Sequence, residues 1–290
     1  MSSEREIARS PAPSSGRTVL VLGGGGMKGM AHIGVWKALE ERGVRPDGII
    51  GTSIGALIGA CLAGGMGWRD LAEIARTLVK EDIVAINRRA VWLGGVRESA
   101  VFEGEHFLSY IRETLPVKTF AELKHPLRIN TVSLVTGEEV WFGDGERQDI
   151  PLADAVYASC ALPIYFPPKY IEGDVLVDGG VLNVLPIGTA ADWDAERVIA
   201  VDVGSDLLPP AEGYFDRGMI AIHDRVLNLN LQEQRKACLA KWDVTPGEAS
   251  LIYIRPKIGH LHSFDFDRTQ FFLEEGYVAA REAIAAAAAA

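Results

Sequence analysis

The sequence is poor in cysteine, in positive charge and in long apolar runs. It holds three cysteines, Cys61, Cys160 and Cys238, with no CxxC pair. That argues against a disulfide framework or a cysteine-built zinc site, and a reducing compartment is the expectation. Lys and Arg number 29 against 39 Asp and Glu, a formal net charge of −10. Nucleic acid is therefore disfavoured as the main partner, because phosphate neutralisation needs clustered cations. No uninterrupted apolar run approaches the length of a membrane span. Met1–Arg17 is polar, contains Pro11 and Pro13, and lacks the apolar centre of a secretory leader. Residues 1–16 are read as a flexible tail, and the alanine run Ala285–Ala290 carries no functional reading. What the chain does have is ordinary globular composition, 48% hydrophobic and 23% charged over 290 residues. Disorder throughout is excluded. With no repeat or linker visible, one domain over residues 17–284 is expected.

The pattern along the chain is that of alternating strands and helices. Thr18–Leu22 (TVLVL) is a short apolar, β-branched run that stops at glycines, as a buried parallel strand does. Met30–Arg42 is predicted as an amphipathic helix ended by Gly43. Gly48–Ile50 reads as a second strand and Ala56–Leu62 as a helix of small apolar residues. This alternation predicts a parallel sheet covered by helices. Further helices are expected over Trp68–Lys80, Gly104–Leu115, Pro151–Cys160, His223–Lys241 and Phe271–Ala285. Leu127–Val135 and Glu138–Phe142 suggest a hairpin. Val175–Val177, Arg197–Gly204 and Leu251–Arg255 read as strands. Residues Ile83–Phe102 show no clear period.

Three stretches could carry chemistry. Gly51-Thr52-Ser53-Ile54-Gly55 lies directly between a strand and a helix. In a GxSxG elbow the serine sits on a tight, strained turn that lifts its hydroxyl out over a helix N-terminus. Ser53 as a plain N-cap is the competing reading, and the strand–turn–helix context favours the nucleophile. The second stretch is Gly23–Gly29, whose bare N–H groups form a cradle for an anion. Gly24, Gly26 and Gly29 also satisfy GxGxxG. A dinucleotide loop, however, predicts an acidic residue at the end of the next strand, where this chain has Gly51-Thr52-Ser53. A phosphate loop fails as well, since Lys28 is followed by Gly29. The third is Asp178-Gly179-Gly180 after a short strand. Alone it reads as an Asp-Gly turn, and it gains weight from the company of Ser53 and the glycine loop.

Together these blocks resemble the bacterial patatin-like phospholipases. The likeness rests on Gly23–Gly29, on Ser53 in GTSIG and on Asp178 in DGG. It extends to Ala158-Ser159-Cys160-Ala161-Leu162-Pro163 with Phe166 and Pro168, and to Asp265-Phe266 and Gly276-Tyr277. It covers roughly Arg17 to Glu282. The resemblance implies a three-layer α/β/α sandwich with a mostly parallel central sheet. It implies a Ser53–Asp178 dyad that hydrolyses lipid acyl esters through an acyl-enzyme, and an oxyanion loop formed by Gly24, Gly25, Gly26, Met27 and Lys28. Lys28 stands where many members have Arg. The implied partner is a lipid or acyl-ester substrate, with no cofactor or metal, in a cytoplasmic setting that allows peripheral contact with a membrane. Acyl transfer to another acceptor shares the same acyl-enzyme. A non-catalytic binding protein on the same fold is the alternative from another class, and retention of both Ser53 and Asp178 counts against it.

Other residues invite second readings. His260 and His262 follow Asp178, so a Ser–acid–His order is allowed. Ser53 comes too early in the chain for the hydrolase fold that uses that order, and a solvated loop is favoured over a triad or a metal site. Arg88, Arg89, Val91, Trp92 and Leu93 combine cations with apolar residues, as a membrane-touching flap does; a surface turn is the plainer reading. Cys61 reads as a small buried hydrophobe.

Overall fold

The computed structural model describes residues 16–87, 98–244 and 249–289. Most of the expected tail and the whole Arg88–Leu93 flap lie outside these residues. An eight-stranded mixed sheet forms the centre, in the order β5-β6-β3-β2-β1-β7-β8, with β4 paired to β3. The strands are β1 (Thr18–Leu22), β2 (Gly48–Gly51), β3 (Leu127–Ser133), β4 (Glu139–Gly143), β5 (Lys169–Ile171), β6 (Asp174–Asp178), β7 (Arg197–Val201) and β8 (Ser250–Ile254). Pairings among β3, β2, β1, β7 and β8 are parallel, whereas β4, β5 and β6 run antiparallel to their neighbours. The helices used below are α1 (Ala31–Glu41), α2 (Ile54–Ala63), α3 (Trp68–Thr77), α4 (Gly104–Thr114), α5 (Leu152–Cys160), α6 (Met219–Val244) and α7 (Thr269–Ala289).

The strands are apolar on both faces, so they bury both. Leu20, Leu22, Ile49, Ile199 and Val201 face a core shared with α1, α2, α5 and α7. Their neighbours Val19, Val21, Ile50, Val198 and Ala200 face a second core with Leu185, Ile187 and Trp193. This period of two divides β1, β2 and β7 between two helical layers, which is the α/β/α arrangement expected. Each fully buried aliphatic side chain contributes about 1.5–3 kcal/mol.

Three differences from the sequence reading are local. β5 was not foreseen: Lys169–Ile171 pairs with β6 across a two-residue turn at Glu172-Gly173, both with positive φ. Such turns match the strand twist. Ile187–Trp193 forms 3-10 turns. The helix expected from His223 begins four residues earlier, at Met219.

Strand β3 positions the site. β4 pairs with it along one edge over Arg128–Val132, so β2 and β6 share the other edge. β2 runs parallel to β3 and ends with Gly51 opposite Ile129. β6 comes from the opposite direction and ends with Asp178 opposite Thr131. The two strands thus meet end to end on one edge, with Asn130 between them. The chain leaving β2 carries Ser53, and the last residue of β6 is Asp178.

Candidate active site

Ser53 has φ 56° and ψ −127°, left-handed backbone that a residue with a side chain adopts only under constraint. Gly55 explains how the turn closes: a Cβ there would collide with the carbonyl of Leu22. The Ser53 N–H donates to Ser159 Oγ at 2.9 Å, and Thr52 Oγ1 donates to Asn130 Oδ1 at 2.8 Å. Asn130 in turn donates through Nδ2 to the Asn183 carbonyl at 2.9 Å. One buried amide therefore joins the serine turn to the loop that follows Asp178.

Asp178 is almost fully buried. Its Oδ1 accepts from the Gly180 N–H at 2.8 Å. Burial pushes its carboxyl up to about 6, against the opposing pull of the Ser53 hydroxyl and the Gly180 N–H. No cation among the described residues contributes to that balance. The Ser53 hydroxyl also lies against the Cys160 thiol, which burial raises well above its ordinary value. The hydroxyl is thus flanked by a carboxylate and a protonated sulfur.

The glycine loop is tied at three points. Gly23 N–H donates to the Val201 carbonyl at 3.0 Å, Gly24 N–H to the Val184 carbonyl at 3.0 Å, and Met27 N–H to the Ser263 carbonyl at 2.8 Å. Among the described residues no backbone acceptor is bonded to the N–H groups of Gly25 and Gly26. Gly26 has φ +61°, and a Cβ there would strike the Ser263 carbonyl, so glycine is required. His32 is fully buried on α1, and its Nε2–H donates to the Gly23 carbonyl at 2.9 Å. Burial holds this imidazole neutral, down to about 4. The Gly23–Gly24 peptide is therefore gripped from both sides. Lys28 is also fully buried, and its side chain leaves the loop: Nζ donates to Ser205 Oγ at 2.6 Å. Burial and the nearby Arg235 lower it to about 8.

Gly24, Gly25, Gly26, Met27, Ser53, Cys160 and Asp178 all line one cavity of about 420 Å³. That is the size of a small-molecule site. The remaining wall is largely apolar, with Ile83, Phe107, Leu162, Phe166, Val184 and Phe264. Among the described residues no set of three His, Cys, Asp or Glu side chains converges as a metal site. His260 and His262 stand on the cavity wall, and neither hydrogen-bonds Ser53 among the described residues.

Ser159, Asn130 and His32 escaped the sequence reading as working parts. Ser159 lies inside a stretch that was noticed only as a block. Asn130 and His32 each carried a signal, a polar side chain inside an apolar strand or helix face, because buried polar groups need partners.

A family model described as patatin-like phospholipase matches residues 20–191. An uncharacterised NTE family protein of Mycobacterium tuberculosis is 34% identical over 198 residues, covering 68% of this chain and 52% of its own. The human patatin-like phospholipase domain-containing protein 6 is 30% identical over 295 residues, covering 94% of this chain and 20% of its own. The chain thus spans about half the length of the mycobacterial relative and a fifth of the human one. VipD from Legionella pneumophila superposes with a TM-score of 0.54 at 15% identity, over 99% of this chain and 72% of that one, a likeness of fold. The family model spans the glycine loop, the serine elbow and the aspartate turn alike, and with the relatives at this level of identity it shows that the chain belongs to the patatin-like phospholipase family.

Proposed function

We propose that the chain is a serine hydrolase of lipid acyl esters, working through a Ser53–Asp178 dyad and an acyl-enzyme. The observation that carries this reading is the pairing of Ser53 on a strained elbow with a buried carboxylate that no cation among the described residues neutralises. Aspartate is ordinarily a weak base for a hydroxyl. Burial narrows the gap by raising Asp178 towards neutrality.

In the first step Asp178 accepts the hydroxyl proton as Ser53 Oγ bonds to the ester carbonyl carbon. The N–H groups of Gly25 and Gly26 donate to the oxygen that becomes negative. The N-terminus of α2 adds positive potential. The tetrahedral centre collapses, the ester C–O bond breaks, and the leaving alcohol takes the proton from Asp178. Water then gives a proton to Asp178 and attacks the acyl carbon, and Ser53 recovers its proton as the fatty acid departs. The apolar wall suits an acyl chain, and the dyad calls for no metal or cofactor. A fluorophosphonate probe tests the reading: covalent labelling of the parent and none of Ser53→Ala is expected. A folded parent left unlabelled would overturn it.

A further inference from the structure

Helix α6 is held to the molecule by its second half. Gln234 Nε2 donates to the Val181 carbonyl at 2.8 Å, Arg235 is buried, and Leu231, Cys238 and Leu239 pack on the second core. Its first half is different. Asp224, Leu227 and Asn228 form part of the cavity wall. Asp224 Oδ1 there accepts from the Tyr165 hydroxyl at 2.5 Å. On the opposite side stand Met219, Ile222, Val226 and Leu229, spaced by three and four residues so that they form one stripe. They are 41–81% exposed. A contiguous apolar stripe of this kind on a globular surface marks a contact face.

We propose that this stripe docks the protein onto an uncharged lipid surface and sets the cavity mouth against it. The inference rests on the lipid-hydrolase reading, and three observations identify the occupant. First, the charged residues of the stretch, Asp224 and Arg225, line the cavity, so the stripe itself is neutral. Second, the chain carries −10 overall, and the turn before the helix exposes Glu212 and Asp216 against one cation, Arg217. Both facts oppose an anionic leaflet and a second copy of the same acidic chain. Third, Leu208 is exposed and also lines the cavity, so an apolar side chain stands where the cavity opens to the outside. No helix among the described residues is long and apolar enough to cross a membrane.

Sedimentation of the full chain with sucrose-loaded phosphatidylcholine vesicles tests this. The variant M219Q/I222Q/V226Q/L229Q is compared with the parent and with L134Q/V135Q, which alters two exposed apolar residues on the β3–β4 turn. The partition coefficient of the fourfold variant is expected to fall about thirtyfold, as loss of four half-buried apolar contacts would cause. The control should bind as the parent does. Added salt should leave parent binding unchanged. Turnover of a soluble short-chain nitrophenyl ester and the melting temperature verify that the fourfold variant is folded. The single Ile222→Trp variant, a milder change, should sediment more strongly. A parent that does not sediment overturns the proposal. So does a fourfold variant that sediments equally, or light scattering that shows a parent dimer dissolved by the same changes. A parent inert to the soluble ester that still sediments through the stripe would overturn the hydrolase and leave the docking face standing.

Discussion

Two buried aspartates sit in the same local device and face different surroundings. Asp178 ends β6 and accepts the N–H of Gly180 at 2.8 Å. Asp202 follows β7 and accepts the N–H of Gly204 at 2.8 Å. Both are 2% exposed. Asp202 is clamped: Arg235 Nε lies 3.3 Å away, Arg255 forms an ion pair with it, and the Tyr253 hydroxyl donates at 2.6 Å. Asp178 meets the Ser53 hydroxyl and has no such cation among the described residues. A carboxylate held by two guanidinium groups is spent on structure, because loss of its charge would leave the buried Arg235 without its ion-pair partner. One left without a counter-ion remains free to accept a proton, and its pKa rises towards the working range. The environment, and not the turn motif, separates the two roles.

The sharpest way to break this comparison is to neutralise each aspartate in turn. Asp178→Asn should lower kcat on an acyl ester by about 10³–10⁴-fold, since the proposed base is lost while the hydrogen-bond shape is kept. Asp202→Asn should instead cost stability, about 3–5 kcal/mol in urea denaturation, with turnover per folded molecule changed far less. If the two variants exchanged these signatures, the assignment of roles would be wrong.

A smaller effect sharpens the contrast through pH. In the proposed mechanism Asp178 acts ionised, so kcat/KM should rise about tenfold per pH unit and level off near pH 6, the value to which burial lifts it. The same group affects stability with the opposite sense. Its folded pKa is raised above the unfolded value of 3.8. Its contribution is therefore fully present below the unfolded value and is lost as pH rises through about 6. Asp178→Asn removes that loss and should be more stable than the parent at neutral pH by about 1–3 kcal/mol, read by calorimetry.

The smallest expected effect concerns the elbow. Ser53→Gly relieves a backbone of φ 56° and should stabilise the fold by about 1 kcal/mol while labelling by fluorophosphonate is lost. A destabilised Ser53→Gly protein would show that the turn is not strained.

Much of the fold was legible because its signals are local. The apolar run Thr18–Leu22, the glycines after it and the small-residue helix after Ser53 each declare their conformation within a few residues. The strand Lys169–Ile171 was missed because three residues give no period, although Glu172-Gly173 is a turn signal. The helix start at Met219 was missed because Met219–Ile222 carries no polar face and reads as an apolar run.

The sequence by itself determined the parts: an elbow for Ser53, a glycine cradle, a strand ending in Asp178, and two apolar faces on β1, β2 and β7. Only the tertiary structure decided that β2 and β6 abut on one edge of β3, and that Ser159, 106 residues away, orients the Ser53 amide. Among the described residues it alone left Asp178 without a cation and gave Asp202 two. The reason is physical. Backbone conformation answers to neighbours along the chain, whereas burial, pairing and pKa answer to neighbours in space, which exist only after the sheet has closed.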